Sequence, residues 1–136
     1  MDKFTSIDAL QAHMKACEDA RDPQKPRISV CRGTGCNASG AKSVYETFQT
    51  AIADGDYDVE LIGTGCHGFC ERGPLVVMHP SGVLYNKVKN KDVTDILEKT
   101  LRGKEIIPKL LYRDEKGQTY EKESEAPFYK HQERMV

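Results

Sequence analysis

Ile7, Leu10, Met14 and Cys17 recur at helical spacing, so the chain is expected to open with a helix from Thr5 to about Arg21. Thr5 with Asp8 resembles an N-terminal cap, and Cys17 on the apolar face is expected to be a buried structural thiol. Asp22-Pro23-Gln24-Lys25-Pro26 breaks the pattern and reads as a connector. RISVC (27–31) then alternates as a strand and delivers a cysteine at its end. Ala41, Val44, Tyr45, Phe48 and Ile52 give one apolar face to a helix from about Gly40 to Ala53, with Ser39 or Asn37 as its cap and Gly55 as its stop. YDVELI (57–62) is a second alternating strand. PLVVMH (74–79) and VLY (83–85) form a hairpin around Pro80-Ser81-Gly82. Val93, Ile96, Leu97 and Leu101 mark a last helix from about Lys91 to Leu101, ended by Gly103.

The strand–helix–strand–loop–hairpin–helix order from Arg27 fits an α/β domain with a central sheet and helices packed on it, compatible with a thioredoxin-like sheet. Three segments follow: an N-terminal helix and connector (1–26), the α/β domain (27–111), and a mixed-charge segment (112–136). The last has few apolar residues and no sustained periodicity, so it is expected to be an extended or disordered tail.

The length of 136 residues admits one modest core. The net charge of −1 offers no basic surface for nucleic acid or membrane, and no apolar run suits a signal peptide or a spanning helix. A soluble, cytoplasmic protein is expected. In a reducing cytoplasm the five cysteines point to metal binding or free thiols rather than to disulfides.

Cys31 and Cys36 form C-x4-C, and Cys66 and Cys70 form C-x3-C, each pair at a strand exit. The 29 residues between the pairs (37–65) allow a crossover helix and a returning parallel strand, which brings both loops to one end. Six of the 11 glycines (Gly33, Gly35, Gly63, Gly65, Gly68, Gly73) flank the four cysteines, as close backbone approach to an inorganic group would require. A 2Fe–2S cluster on Cys31, Cys36, Cys66 and Cys70 fits best. A zinc-stabilised interaction module fits more loosely, and a thiol oxidoreductase lacks its C-x-x-C. Around the pairs, His67 reads either as loop filler or as a donor to a sulfur, and Phe69 as a shield from water. Arg32, Lys42 and Arg72 read either as solvated charge or as cations that favour the reduced state and dock an acidic partner.

The cysteine spacing resembles the thioredoxin-like 2Fe–2S ferredoxin family, which includes a subunit of respiratory complex I. "RISVCRGTGCNASGA" and "GTGCHGFCERGPLVVMHPSGVLYNKV" further resemble the N-terminal domain of the NADH-binding flavoprotein subunit of NAD(P)-linked iron–iron hydrogenases and related formate dehydrogenases. The likeness covers about residues 27–112, and "EAPFYKHQERMV" resembles the lead-in to the flavin domain of those subunits. The resemblance implies a thioredoxin-like fold with about four strands, and Cys31, Cys36, Cys66 and Cys70 as ligands. It also implies one-electron transfer inside an NAD(P)-linked, in some members electron-bifurcating, hydrogenase. The implied partners are the flavin/NAD(P)-binding domain of the same parent chain and other iron–sulfur subunits. Stand-alone members form dimers, with the first helix and the hairpin as candidate contacts here. The family's flavin, NADH and 4Fe–4S motifs are absent from these residues, so the chain itself is expected to carry electrons without bond chemistry.

Overall fold

The computed structural model describes residues 3–22 and 24–133; Pro23 of the expected connector and residues 134–136 of the tail lie outside them. Helix α1 (Ile7–Asp19) is capped by Ser6, whose hydroxyl accepts the Ala9 N–H at 3.1 Å, one residue later than the expected Thr5 cap. α1 buries none of its residues: Ile7 is 73% exposed and Met14 53%, and Cys17 is exposed as well. The expectation of a buried Cys17 thiol is thereby corrected. An apolar stripe buries only against a free surface, and the sheet faces are largely taken by other elements.

Strands β1 (Arg27–Cys31), β2 (Glu60–Thr64), β3 (Val76–His79) and β4 (Val83–Tyr85) form one sheet in the order β2-β1-β3-β4. β1 runs parallel to β2 and antiparallel to β3, and β3 pairs antiparallel with β4. β1 is therefore central, and four of its five residues are buried. Alternation divides the strands between two cores. Ile28, Val30, Val76, Met78, Val83 and Tyr85 face Val44 and Phe48 of α3 (Ala41–Gly55), with Val93 of α4 (Asn90–Asp95) and Ile96 and Leu97 just beyond it. Cys31, Val77 and Leu84 share the second core with Phe69, Ala126 and Tyr129. α4 continues as a π-helical stretch, Ile96–Arg102, and Gly103 closes it by donating its N–H to the Glu98 carbonyl at 3.2 Å.

Two expected boundaries move. β2 starts at Glu60 rather than Tyr57, because Asp56 turns left-handed (φ 50°) at the end of α3 and the Tyr57 N–H donates back to the Ile52 carbonyl. The expected cap at Ser39 or Asn37 is replaced by Gly40 at φ 101°, a conformation that suits glycine. The extended or disordered tail is also corrected. Residues 112–133 fold into strands β5 (Tyr112–Arg113) and β6 (Thr119–Tyr120), a 3-10 turn (Glu123–Glu125) and helix α5 (Pro127–Lys130). The Leu84 N–H donates to the Glu121 carbonyl at 2.9 Å and the Glu123 N–H to the Gly82 carbonyl at 3.0 Å, so the segment lines the open edge of β4.

Tyr85 ties the helix face to the loop beyond it. Its side chain is fully buried, and its hydroxyl meets Thr100 Oγ1 at 2.7 Å and accepts the Ile107 N–H at 3.2 Å. Tyr85→Phe keeps the ring but leaves both partners without it. We expect a loss of about 1–3 kcal/mol in urea unfolding with an unchanged m-value.

Candidate metal centre

The parallel register of β1 and β2 sets Cys31 opposite Thr64, so both strands deliver their loops at one end of the sheet. The Arg32 N–H donates to the Thr64 carbonyl at 2.9 Å, carrying the pairing one residue into the first loop. That loop then forms a short helix, α2 (Thr34–Ala38), which turns Cys36 fully inward. The sequence reading missed α2, since five residues carry too little periodicity to reveal a helix. The second loop leaves Cys66 exposed, bends at Gly68 and sets Cys70 at the start of a 3-10 turn, Cys70–Arg72.

The sulfurs converge in two pairs. Cys31 and Cys36 are buried, and the Cys31 thiol donates to the Gly65 carbonyl at 3.5 Å, while Cys66 Sγ lies 3.5 Å from Cys70 Sγ on the outer side. The Gly68 N–H points at Cys66 Sγ from 3.2 Å. Backbone reaches this close because two residues have no side chain: a Cβ on Gly35 would stand 2.8 Å from Cys70 Sγ, and one on Gly73 2.8 Å from Cys36 Sγ. Gly65 differs, with open space around it, so the glycine enrichment is only partly steric. The two loops press together at the sulfurs, and four cysteines brought to one end of the sheet suit a centre of two irons, which takes two cysteine sulfurs per iron. The residues present thus fit a 2Fe–2S cluster.

Burial, with Cys31 beside it, pushes the Cys36 thiol up to about 12, and the hydrogen bond with Cys66, ahead of desolvation, raises Cys70. In the metal-free chain both thiols are therefore protonated at neutral pH, and any metal must displace their protons.

The neighbours divide differently from expectation. His67 turns away from the sulfurs: Nε2 is hydrogen bonded to Thr64 Oγ1 at 2.9 Å, and Nδ1 lies 3.3 Å from Glu123 Oε1 in the tail. The reading of His67 as a sulfur donor is thus corrected. Phe69 is 6% exposed and stacks on Phe128 at 4.6 Å between ring centroids, with Tyr112 and Tyr129 edge-on. Arg32 and Arg72 lie over the rings of Tyr45 (4.8 Å) and Tyr112 (5.1 Å), while Lys42 is exposed on the first turn of α3. The Asn37 side-chain amide donates to the Arg32 carbonyl at 3.0 Å and the Ser39 hydroxyl to the Gly35 carbonyl at 3.2 Å, so both brace the first loop. Glu123 and Phe128 were not anticipated, since neither carries a motif and both lie more than fifty residues from the loop they touch.

A family model described as thioredoxin-like [2Fe-2S] ferredoxin matches residues 19–101. A 2Fe-2S ferredoxin of Aquifex aeolicus is 33% identical over 102 residues, covering 73% of this chain and 86% of that protein. A 2Fe-2S ferredoxin of Clostridium pasteurianum is 34% identical over 77 residues, covering 55% of this chain and 76% of its own. The crystal structure of the wild-type thioredoxin-like [2Fe-2S] ferredoxin from Aquifex aeolicus superposes with a TM-score of 0.59 at 30% identity, over 65% of this chain and 97% of that one. A chain of the NAD+-reducing [NiFe]-hydrogenase shares the fold, with a TM-score of 0.51 at 13% identity, over 72% of this chain and 21% of that one.

Gly35→Ala drives a methyl group into Cys70, so anaerobically reconstituted protein is expected to lose most of its bound iron, measured by iron assay, while the far-ultraviolet spectrum persists. The raised Cys36 gives the metal-free fold a second signature. The folded chain holds that proton more tightly than the unfolded one, so its stabilising effect is complete below the ordinary thiol value of 9.0 and is lost as pH rises toward about 12. The urea midpoint of the metal-free chain should therefore fall across that interval, and Cys36→Ala should flatten the fall.

Proposed function

We propose that this chain, which belongs to the thioredoxin-like [2Fe-2S] ferredoxin family, is the one-electron domain of an NAD(P)-linked hydrogenase or a related complex. Family membership and the ferredoxin relatives make it a 2Fe–2S electron carrier. On the finer reading Cys31, Cys36, Cys66 and Cys70 would hold the cluster. The gathering of these four cysteines at one end of the sheet, with Gly35 pressed against Cys70 and Gly73 against Cys36, carries that assignment.

A bound 2Fe–2S cluster supplies a one-electron couple, and the protein's part is to hold and insulate it. Cys31 and Cys36 anchor it against the sheet, where both are buried. Cys66 keeps its other side at the surface, within reach of a partner. The Gly68 N–H on Cys66 stabilises thiolate charge there, an effect that favours the reduced state. Arg32 and Arg72, tethered over tyrosines, add positive charge at the loop ends.

The hydrogenase assignment rests on the wording of the two cysteine motifs and on the tail's resemblance to a flavin-domain lead-in. The fold shared with a chain of the NAD+-reducing hydrogenase is compatible with it. On this reading the electron partners are the flavin/NAD(P)-binding domain of the parent chain and neighbouring iron–sulfur subunits. No helix among the described residues is long and apolar enough to cross a membrane.

Anaerobically purified protein is expected to show sulfur-to-iron charge-transfer bands that bleach with dithionite, with about two irons and two sulfides per chain. A featureless spectrum with about one zinc per chain would refute the cluster assignment. Expressed together with the parent's flavin domain, the chain should be bleached by NADH or NADPH. A cluster that stays oxidised under those conditions would refute the hydrogenase-type assembly.

A further inference from the structure

The family model's match ends at residue 101, yet the chain continues into a folded segment that returns to the cysteine loops. It reaches the Cys66–Cys70 loop by three separate contacts. Phe128 stacks on Phe69, with ring centroids 4.6 Å apart and planes within 5°. The Phe128 ring also lies on Gly68, where a Cβ would stand 3.5 Å from its Cζ. Glu123 Oε1 meets Nδ1 of His67 at 3.3 Å, and both side chains are only about one-sixth exposed, at 16% and 15%.

The segment has its own footing. It pairs along β4 through Glu121 and Glu123, and it buries Ala126 and Tyr129 beside Cys31 and Cys36 in the second core. It therefore spans from the edge of the sheet to the more exposed cysteine pair. That pair needs such help: Cys66 and Gly65 are exposed, and loop residues with little burial open readily.

We propose that residues 112–133 form a strap that positions the Cys66–Cys70 loop, with Phe128 and Glu123 as its positioning residues. The strap holds Phe69 and His67 from outside, and these fix the backbone between the two outer sulfurs. It rests on the cluster assignment for its purpose but not for its geometry.

The experiment uses the full chain with Phe128→Ala, Phe128→Tyr, Glu123→Gln and Phe4→Ala. Phe4 is a control of matching exposure, 39% against 38% for Phe128, on the N-terminal segment. Amide hydrogen exchange over residues 65–70 of the metal-free protein reads the loop directly. On reconstituted protein, the decay of the charge-transfer bands under an iron chelator reads cluster retention. Phe128→Ala is expected to speed both by about tenfold, the scale of one lost aromatic stack with its burial. Glu123→Gln should speed both by less, Phe128→Tyr should restore them, and Phe4→Ala should change neither. Because Phe128 is partly exposed, exchange in β1 and β3 should stay constant, which separates positioning from general unfolding. If Phe128→Ala leaves loop exchange and chelator decay unchanged, the strap is overturned while the cluster assignment stands. If the native chain takes up no cluster, the cluster assignment falls and loop exchange alone still decides the strap.

Discussion

The parallel pairing of β1 with β2 is the constraint on which the rest of the structure depends. Its register sets Cys31 against Thr64, and this fixes how far each cysteine loop lies from the other. A slip of one residue would turn Ile28 and Val30 out of the helix-side core, so burial enforces the register. The α3 crossover makes that parallel pairing possible, since parallel neighbours need a connection long enough to cross the sheet. The positions of four sulfurs thus follow from apolar burial some distance away. Strand ends and the Arg32–Thr64 hydrogen bond hold the starts of the loops, and the exposed stretch beyond Thr64 depends on contacts made further along the chain.

The two cysteine pairs then differ in burial. Cys31 and Cys36 sit buried against the sheet, and burial raises the cost of a free thiolate at Cys36. Cys66 is exposed and Cys70 half-buried, on a loop beyond the end of the sheet. Stacked over Tyr45 and Tyr112, Arg32 and Arg72 keep positive charge on the two cysteine loops.

β1, the hairpin strands and the helix face of Val44 and Phe48 followed from periodicity, because each buries one regular face. The four clustered cysteines were legible from spacing, and their convergence from the strand exits that precede them. α2 was not, since its inward Cys36 is fixed by contacts with the second loop rather than by any repeat of its own. His67 was legible as a residue near the centre but not as one that faces Thr64 and Glu123, because Glu123 is brought there only by tertiary folding.

The two ends of the chain sharpen the point. α1 has a well-spaced apolar stripe yet buries nothing, while residues 112–133 lack periodicity yet pack closely. Hydrophobic patterning states what a segment could bury; whether it does so depends on a surface left open to receive it. β4 offers an unpaired edge, and the tail answers it with backbone hydrogen bonds, the Glu121 carbonyl accepting from Leu84 and the Glu123 N–H donating to Gly82. Those bonds carry no compositional signal, so a mixed-charge segment can be ordered by them and still read as disordered. Once the backbone is held, a few residues suffice: Ala126 and Tyr129 fill the second core, and Phe128 covers Phe69. Order in this tail is therefore a property of the sheet edge it meets, and its contact with the metal centre follows from where that edge ends.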